Sequence, residues 1–459
     1  MRLLDTEPEW LERYDHATST PELRLAHRPG TWLICGPLFS PHLLSPVPVN
    51  VRRLSVEVLE TWQKTPRYAT DLLDDKTRQA ALSGPNAAFL HDIVLSTLRH
   101  LNLLDHWIDQ LTNGKHLDHR TRWILRVGLI QLLILGVPSH AAVNETVAAA
   151  GRAATLVNAV LRRAGREHDK LLAQRPTLPL TVAYSHPEYL IRRWIKIMGK
   201  EKAEALCQWN QSIAPTFVRI NRLHDGADER LAQLPGLTPH NEEDFFQCES
   251  TPREALKQGL CYAQDPSTAM APRMLAPLPG EAVLDACAAP GGKTAILAQL
   301  MCGEGKLFAC DSSATRLTRL RENLTRLHAH IAQVHQHDFL SDSPPPFGNL
   351  LFDRILLDVP CSNTGVMRRR IDVRWRLSED EFAPLAQTQR AIVESALRYL
   401  KPGGTLVYST CSIDPEENQQ LVKAVLAAHP ELELAESRLL FPPKDQTDGA
   451  YAARLVRKA

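Results

Sequence analysis

Val283-Leu-Asp-Ala-Cys-Ala-Ala-Pro-Gly-Gly-Lys-Thr294 joins a short apolar run to a stretch of helical spacing through small residues and two glycines. Such a strand-to-helix turn lets the backbone approach a ligand closely and directs a helix N-terminus at it. Gly292-Lys293-Thr294 also raises the possibility of a phosphate-binding P-loop. That motif needs a glycine five positions before Gly292, where Cys287 stands, so the nucleotide-triphosphatase reading is set aside.

Downstream, short apolar segments alternate with longer helical ones. Strands are expected at 282–285, 306–310, 354–358 and 405–409, and helices at 293–301, 312–328, 384–400 and 415–429. In the second helix Leu317, Leu320, Leu324 and Leu327 form one stripe. This alternation specifies a parallel sheet covered by helices on both faces. Asp311 ends the second strand, 20 residues beyond Gly291, where a carboxylate of a doubly wound fold accepts from ribose hydroxyls. It could equally cap the helix starting at Ser312, and both can hold. Asp338 stands where a third strand should end, placed to accept from an adenine amine.

Two more motifs close strands of this sheet: Asp358-Val-Pro-Cys-Ser-Asn-Thr-Gly365 and Ser409-Thr-Cys-Ser-Ile-Asp-Pro-Glu-Glu-Asn418. Carboxyl ends of parallel strands face the ligand crevice, so Cys361 and Cys411 should look into one pocket. Taken singly, each cysteine is more simply a small buried hydrophobe; the pair, at two strand ends beside a cofactor turn, points to chemistry. A thiolate that adds to an electron-poor ring carbon makes the neighbouring carbon a nucleophile, a form of covalent catalysis. A carboxylic acid at a ring nitrogen would assist that addition, and Asp358 is suitably placed. A second thiol would assist release after the transfer. The residues alone leave open which thiol attacks; a helix beginning near Pro415 would lower the pKa of a thiol at its N-terminus. Cys35, Cys207, Cys248, Cys261, Cys302 and Cys310 lack such surroundings and read as structural. Between the motifs, Met367-Arg-Arg-Arg-Ile-Asp-Val-Arg-Trp375 mixes cations with an aromatic. A solvated loop would also be arginine-rich; phosphate contact and base stacking is the favoured reading.

Upstream, residues 51–165 are helical throughout, with Leu90, Ile93, Val94, Leu98 and Leu101 on one face and a break at Gly136-Val-Pro138. This region holds 14 Lys/Arg against 10 Asp/Glu, a difference of +4, which suits either RNA or a solvated face. Residues 180–270 read as a small α+β module, with a strand at 216–220, and 271–459 as the catalytic domain. The helical domain is taken to span 51–170. Residues 1–50, ending in a proline-rich stretch, read as a poorly ordered extension.

The whole chain, 459 residues with 44% hydrophobic and 23% charged residues, has a net charge of +1. That excludes a bulk polyanion-binding surface, so cations for RNA must be arranged locally. The nine cysteines show neither zinc-knuckle nor redox-pair spacing, and no metal site is expected. The start lacks a basic, then apolar, leader and the most apolar stretch, 127–137, is too short to span a bilayer. A cytoplasmic location is therefore expected.

The segment from Val283 to Thr294, with Tyr262-Ala-Gln-Asp-Pro-Ser267 before it and Asp448-Gly-Ala-Tyr-Ala-Ala-Arg-Leu455 at the end, resembles the Sun-type RNA cytosine-5 methyltransferases. Residues 122–133, 142–147 and 156–163 resemble the NusB family of helical RNA-binding domains. The resemblance implies an all-α NusB-like domain, a small α+β module and a Rossmann-like α/β methyltransferase domain with an antiparallel last strand. It implies S-adenosylmethionine held at Cys287, Ala288, Ala289, Pro290, Gly291, Gly292, Lys293, Asp311, Asp338 and Asp358. It assigns the nucleophile to Cys411 and product release to Cys361. DNA cytosine-5 methyltransferases use the Pro-Cys cysteine and lack the second motif, so the expected partner is RNA rather than DNA or a membrane. Joining a NusB-like domain to this catalytic domain makes 16S ribosomal RNA the expected substrate and tRNA the runner-up. A non-catalytic RNA-binding assembly factor is the rival class. No feature calls for an obligate protein partner. The family usually has His-Pro at Arg370-Ile371 and often Ala at Val359, departures that bear on substrate contacts.

Overall fold

The helical spacing after Val51 produces seven α-helices up to Arg166 in the computed structural model, which describes residues 50–459. The expectation for residues 1–50 lies outside the described residues except for Asn50. That residue caps the first helix, Val51–Lys64, by accepting from the Arg53 N–H at 3.0 Å. The apolar faces meet around Leu59, Leu90, Ile93, Trp107, Trp123 and Leu161, all buried. Helix His119–Leu133 packs against Ala154–Arg166 at Gly128, where a Cβ would stand 2.7 Å from the Leu161 methyls. Beyond the expected break at 136–138 the helical region divides once more, into Ser139–Ala148 and Ala154–Arg166. Gly151, at φ +52°, turns the chain in the left-handed region between them.

Helices Glu188–Met198 and Lys200–Gln211 lead into a small antiparallel sheet. Its strands are β1 (Thr216–Ile220), β2 (Leu237–Pro239), β3 (Phe245–Cys248) and β4 (Cys261–Ala263), in the order β2-β3-β1-β4. Cys248 and Cys261 lie in its core and Cys207 in the neighbouring helical one. Burial pushes the Cys207 and Cys261 thiols up to about 12, consistent with inert packing.

The last domain is one seven-stranded sheet: β5 (Ala282–Asp285), β6 (Lys306–Asp311), β7 (Ala332–Gln336), β8 (Phe352–Asp358), β9 (Leu400–Thr410), β10 (Leu432–Leu440) and β11 (Ala450–Arg457). Its order is β10-β11-β9-β8-β5-β6-β7, with β11 antiparallel to both neighbours and β5 through β9 parallel. After β7 the chain crosses back to the other side of β5. The topological switch point, where open α/β sheets bind ligands, is therefore between β5 and β8. The leucine stripe at 317–327 is buried against this sheet. The helix expected over 415–429 is interrupted. Pro415–Glu417 is a 3-10 turn, Asn418 departs from helical angles (φ −119°, ψ −106°), and the α-helix is Gln419–Ala428.

Segment 367–375 corrects the favoured reading of a nucleic-acid loop. Ile371 lies in the core of the helical domain and Trp375 packs against it, donating from Nε1 to the Leu98 carbonyl at 2.9 Å. Asp372 accepts from Trp62 Nε1 at 3.2 Å and from the Ala69 N–H at 2.7 Å. Arg374 is fully buried and donates to the carbonyls of Tyr184, Ser185, Asn210 and Met367. A short arginine- and aromatic-rich run looks alike whether it faces phosphate or plugs a neighbouring domain. Only Arg370 of this run is exposed. Among the described residues, no helix is long and apolar enough to cross a membrane.

Candidate active site

The turn after β5 divides its residues between two adjoining pockets. Ala286, Cys287 and Ala289 line a cleft completed by Asp311, Asp338, Phe339 and Leu340, with Asp358 and Pro360 at its inner end. Asp311, buried, accepts from the Ser313 N–H at 2.9 Å and pairs with Arg316 at 3.0 Å. It thus supports the start of helix Ala314–Arg326 while facing the cleft. Asp338 is exposed and accepts from the Leu340 N–H at 2.9 Å, fixing the turn that places Phe339 and Leu340 on the cleft wall. Carboxylates for hydroxyls and an amine beside an apolar wall suit an adenosine moiety.

The other turn residues do not line that cleft. Ala288 is buried and donates its N–H to the Cys310 carbonyl at 2.8 Å; the Pro290 carbonyl accepts from Asn323 Nδ2 at 2.8 Å. Gly291 has φ +103°, and a Cβ there would lie 2.8 Å from Leu320. A Cβ on Gly292 would stand 2.8 Å from the Tyr262 ring. Both glycines are thus explained by close packing of protein on protein. Lys293 points the other way: its Nζ pairs with Asp358 Oδ2 at 2.6 Å, and it lines the second pocket with Cys411 and Ser409. Burial would lower the Lys293 pKa, but the charge and hydrogen bond of Asp358 outweigh it and raise it. Thr294 donates to Asp285 Oδ2 at 2.7 Å, so the apparent P-loop residues serve carboxylates at two strand ends.

Cys361 and Cys411 stand side by side as expected, but of the two only Cys411 lines the second pocket. Their Sγ atoms are 3.2 Å apart, both thiols are free, and Cys411 Sγ donates to Asn363 Oδ1 at 3.2 Å. Cys361 is the more enclosed of the two. Its hydrogen bond with Cys411, then burial, then the charges of Cys411 and Glu417, raise its pKa well above that of an ordinary thiol. The Cys361 thiol is therefore held protonated. Asp358 lies in the walls of both pockets and also accepts from Ser409 Oγ at 2.9 Å. The two cysteine loops meet a third segment at Gly365 and Gly449. A Cβ on Gly365 would stand 2.7 Å from the Cys411 carbonyl and 2.7 Å from that of Gly449.

With this geometry in view, sequence relatives decide the family. A protein of Vibrio cholerae called ribosomal RNA small subunit methyltransferase B is 38% identical over 81% of this chain and 89% of its own length. The chain belongs to the ribosomal RNA small subunit methyltransferase B family. A Klebsiella pneumoniae protein of the same name is 34% identical over 89% of this chain and 99% of its own. Family models match in three blocks: NusB at 49–166, an RsmF/B-like ferredoxin-like domain at 186–238, and 16S rRNA methyltransferase RsmB/F at 272–456. The crystal structure of PH0851 superposes with a TM-score of 0.73 at 26% identity, covering 90% of this chain and 99% of that one. The all-α, α+β and α/β division expected from the sequence is therefore that of the methyltransferase B family.

Sequence reasoning missed several residues of this methyltransferase site. Lys293 was grouped with the cofactor and stands beside Cys411 instead. Asp285, Gly365, Glu417 and Asp448 lay inside the quoted motifs without a role. Asp448 accepts from Arg369 Nε at 2.8 Å, and that guanidinium also pairs with Asp265 at 2.7 Å. Burial, then the charge of Asp265, push the Asp448 carboxyl up to about 7 against the opposing pull of Arg369.

Proposed function

We propose that this chain transfers a methyl group from S-adenosylmethionine to carbon 5 of a cytosine in 16S ribosomal RNA, through a covalent adduct with Cys411. The observation that carries the reading is the pair of free thiols 3.2 Å apart, beside a carboxylate that faces a cleft suited to adenosine. Cys287, Ala289, Asp311, Asp338 and Asp358 would hold the cofactor, which brings an electrophilic methyl. Ala288, Pro290, Gly291 and Gly292 shape the turn.

The attack falls to Cys411, which lines the pocket, whereas Cys361 is enclosed and its hydrogen bond with Cys411, then burial, raise its pKa. Cys411 Sγ adds to carbon 6 of the cytosine, and the proton taken up at N3 comes through Asp358 from the Lys293 ammonium paired with it. The electron pair released toward carbon 5 would take the methyl group as its bond to the cofactor sulfonium breaks, leaving S-adenosylhomocysteine. Loss of the carbon 5 proton to solvent, and return of the N3 proton to the Asp358–Lys293 pair, restores the ring double bonds and expels Cys411 as thiolate. Cys361 then stabilises that leaving group by hydrogen bonding from its thiol.

The test is methylation of bacterial 16S rRNA transcripts, with tRNA as comparison and bisulfite sequencing as readout. The wild-type chain should modify one cytosine of 16S rRNA. Cys361→Ala should accumulate a denaturation-resistant protein–RNA adduct, and Cys411→Ala should form none. No methylation of any ribosomal or transfer RNA would favour an RNA-binding assembly factor; modification of tRNA alone would move the substrate. An adduct on Cys361 in place of Cys411 would reverse the two roles.

A further inference from the structure

Glu417 lies in the 3-10 turn after the second cysteine motif, fully buried, with its carboxylate held by neutral donors. Its Oε2 accepts from the Ser362 N–H at 2.9 Å and from Gln389 Nε2 at 2.7 Å, and its Oε1 from Ser412 Oγ at 2.7 Å. Ser362 directly follows Cys361, and Ser412 directly follows Cys411. Gln389, on helix Phe382–Leu397, also donates to the carbonyl of Pro360, which precedes Cys361. Tyr408 Oη in turn donates to the Glu417 carbonyl at 2.6 Å and to Gln389 Oε1 at 3.2 Å, orienting both groups. One carboxylate thus grips both thiol-bearing loops, and its amide neighbour grips the near side of Cys361.

Burying a carboxylate among neutral donors costs stability relative to an apolar filling, so packing alone does not account for it. What it provides is a fixed distance between two loops that arise from different strands. We propose that Glu417 is the positioning residue of this active site, setting Cys361 and Cys411 against the same base by tying Ser362 and Ser412 to one carboxylate. The inference rests on the two-thiol reading above and adds the group that makes the two thiols act together. Its negative charge also faces Cys361, so it favours the protonated form of the thiol that assists release.

Two substitutions separate positioning from bulk stability. Glu417→Ala removes the acceptor that three donors share. In Glu417→Gln the amide oxygen can still accept from Ser362 and Gln389. Its NH2 can donate to Ser412 Oγ, whose hydroxyl turns toward Asp414 Oδ2, 3.4 Å away. The assay is turnover of 16S rRNA transcript with radiolabelled S-adenosylmethionine, beside cofactor binding by calorimetry and a denaturing gel for adduct. Glu417→Ala should lower kcat about 10- to 100-fold, as misplacement of a reacting group does. Its KM for RNA should stay within about twofold, its cofactor affinity should be unchanged, and stalled adduct should appear. Glu417→Gln should recover most of kcat and clear the adduct. Should the alanine variant not fold, Gln389→Ala, which loosens the Cys361 side alone, should show the adduct in weaker form.

Wild-type kcat in a folded Glu417→Ala variant overturns the proposal. So does equal loss of kcat and cofactor binding in both Glu417 variants without adduct, which would mark a purely structural residue. Failure of the wild-type chain to methylate any RNA is a different result, read without any variant, and strikes the functional reading itself.

Discussion

At the scale of single residues, Asp285 shows how burial sets a charge. It ends β5, buried, with Thr294 donating to it, and burial pushes its carboxyl up to about 7. An unfolded aspartate titrates near 3.9. Below roughly pH 4 both states are protonated. As the pH rises toward 7 the unfolded chain ionises first, so folded stability falls across that window and levels off above it. The penalty is of order 4 kcal/mol at most. Asp285→Asn should therefore gain stability over wild type progressively between about pH 4 and 7, and hold a constant advantage above. Thermal melts of the two proteins across that range check the sign; a pH-independent difference would reject the burial account. Lys293 shows the reach of a long side chain at this same scale. Motif logic places a lysine after two glycines with the ligand of the turn. Its side chain is long enough to cross to Asp358, and only the register of β5 beside β8 reveals that this carboxylate is within reach.

The elements show why the sheet was readable and the loops were not. Each parallel strand is a short apolar run and each covering helix carries an apolar stripe, so period alone specifies them. Their carboxyl ends then follow, and with them Asp311, Asp358 and Cys411 at two adjoining pockets, Cys361 lying beside Cys411. The meeting of loops has no such period. Gly365 and Gly449 are 83 and more residues downstream of Ala282 and belong to different turns, yet their backbones touch, with the Gly449 N–H donating to the Gly365 carbonyl at 2.8 Å. Gly365→Ala inserts a methyl into that contact and against the Cys411 carbonyl. Overpacking of this kind costs about 1–3 kcal/mol, so a melting temperature a few degrees lower is expected. Turnover should fall further than stability explains, because the carbonyl that must move belongs to Cys411, the proposed nucleophile. Melting curves and single-turnover rates on the same preparation test both halves.

For the molecule as a whole, the helical and catalytic parts are joined by burial. Asp372 is the centre of the joint, and replacing it by Ala leaves Trp62 Nε1 and the Ala69 N–H without an acceptor. Each buried donor so abandoned costs about 1–3 kcal/mol. Asp372→Ala should split a shared unfolding transition into two, the helical region melting first, as calorimetry would show. A single unshifted transition would mean the joint contributes nothing. Composition could not show this, since a net charge of +1 leaves the arginines of segment 367–376 free to face either RNA or protein. Only the placement of Ile371 inside the other core decides it.

That placement limits modularity. Segment 367–376 continues the Cys361 loop and is also the plug of the helical domain, so an excised catalytic domain would present Ile371 and Trp375 as a sticky apolar stub. Transplanting this catalytic domain onto a different RNA-binding partner would require rewriting those positions with polar residues. Ile371 thus marks where the catalytic domain and its helical neighbour have become a single folding unit.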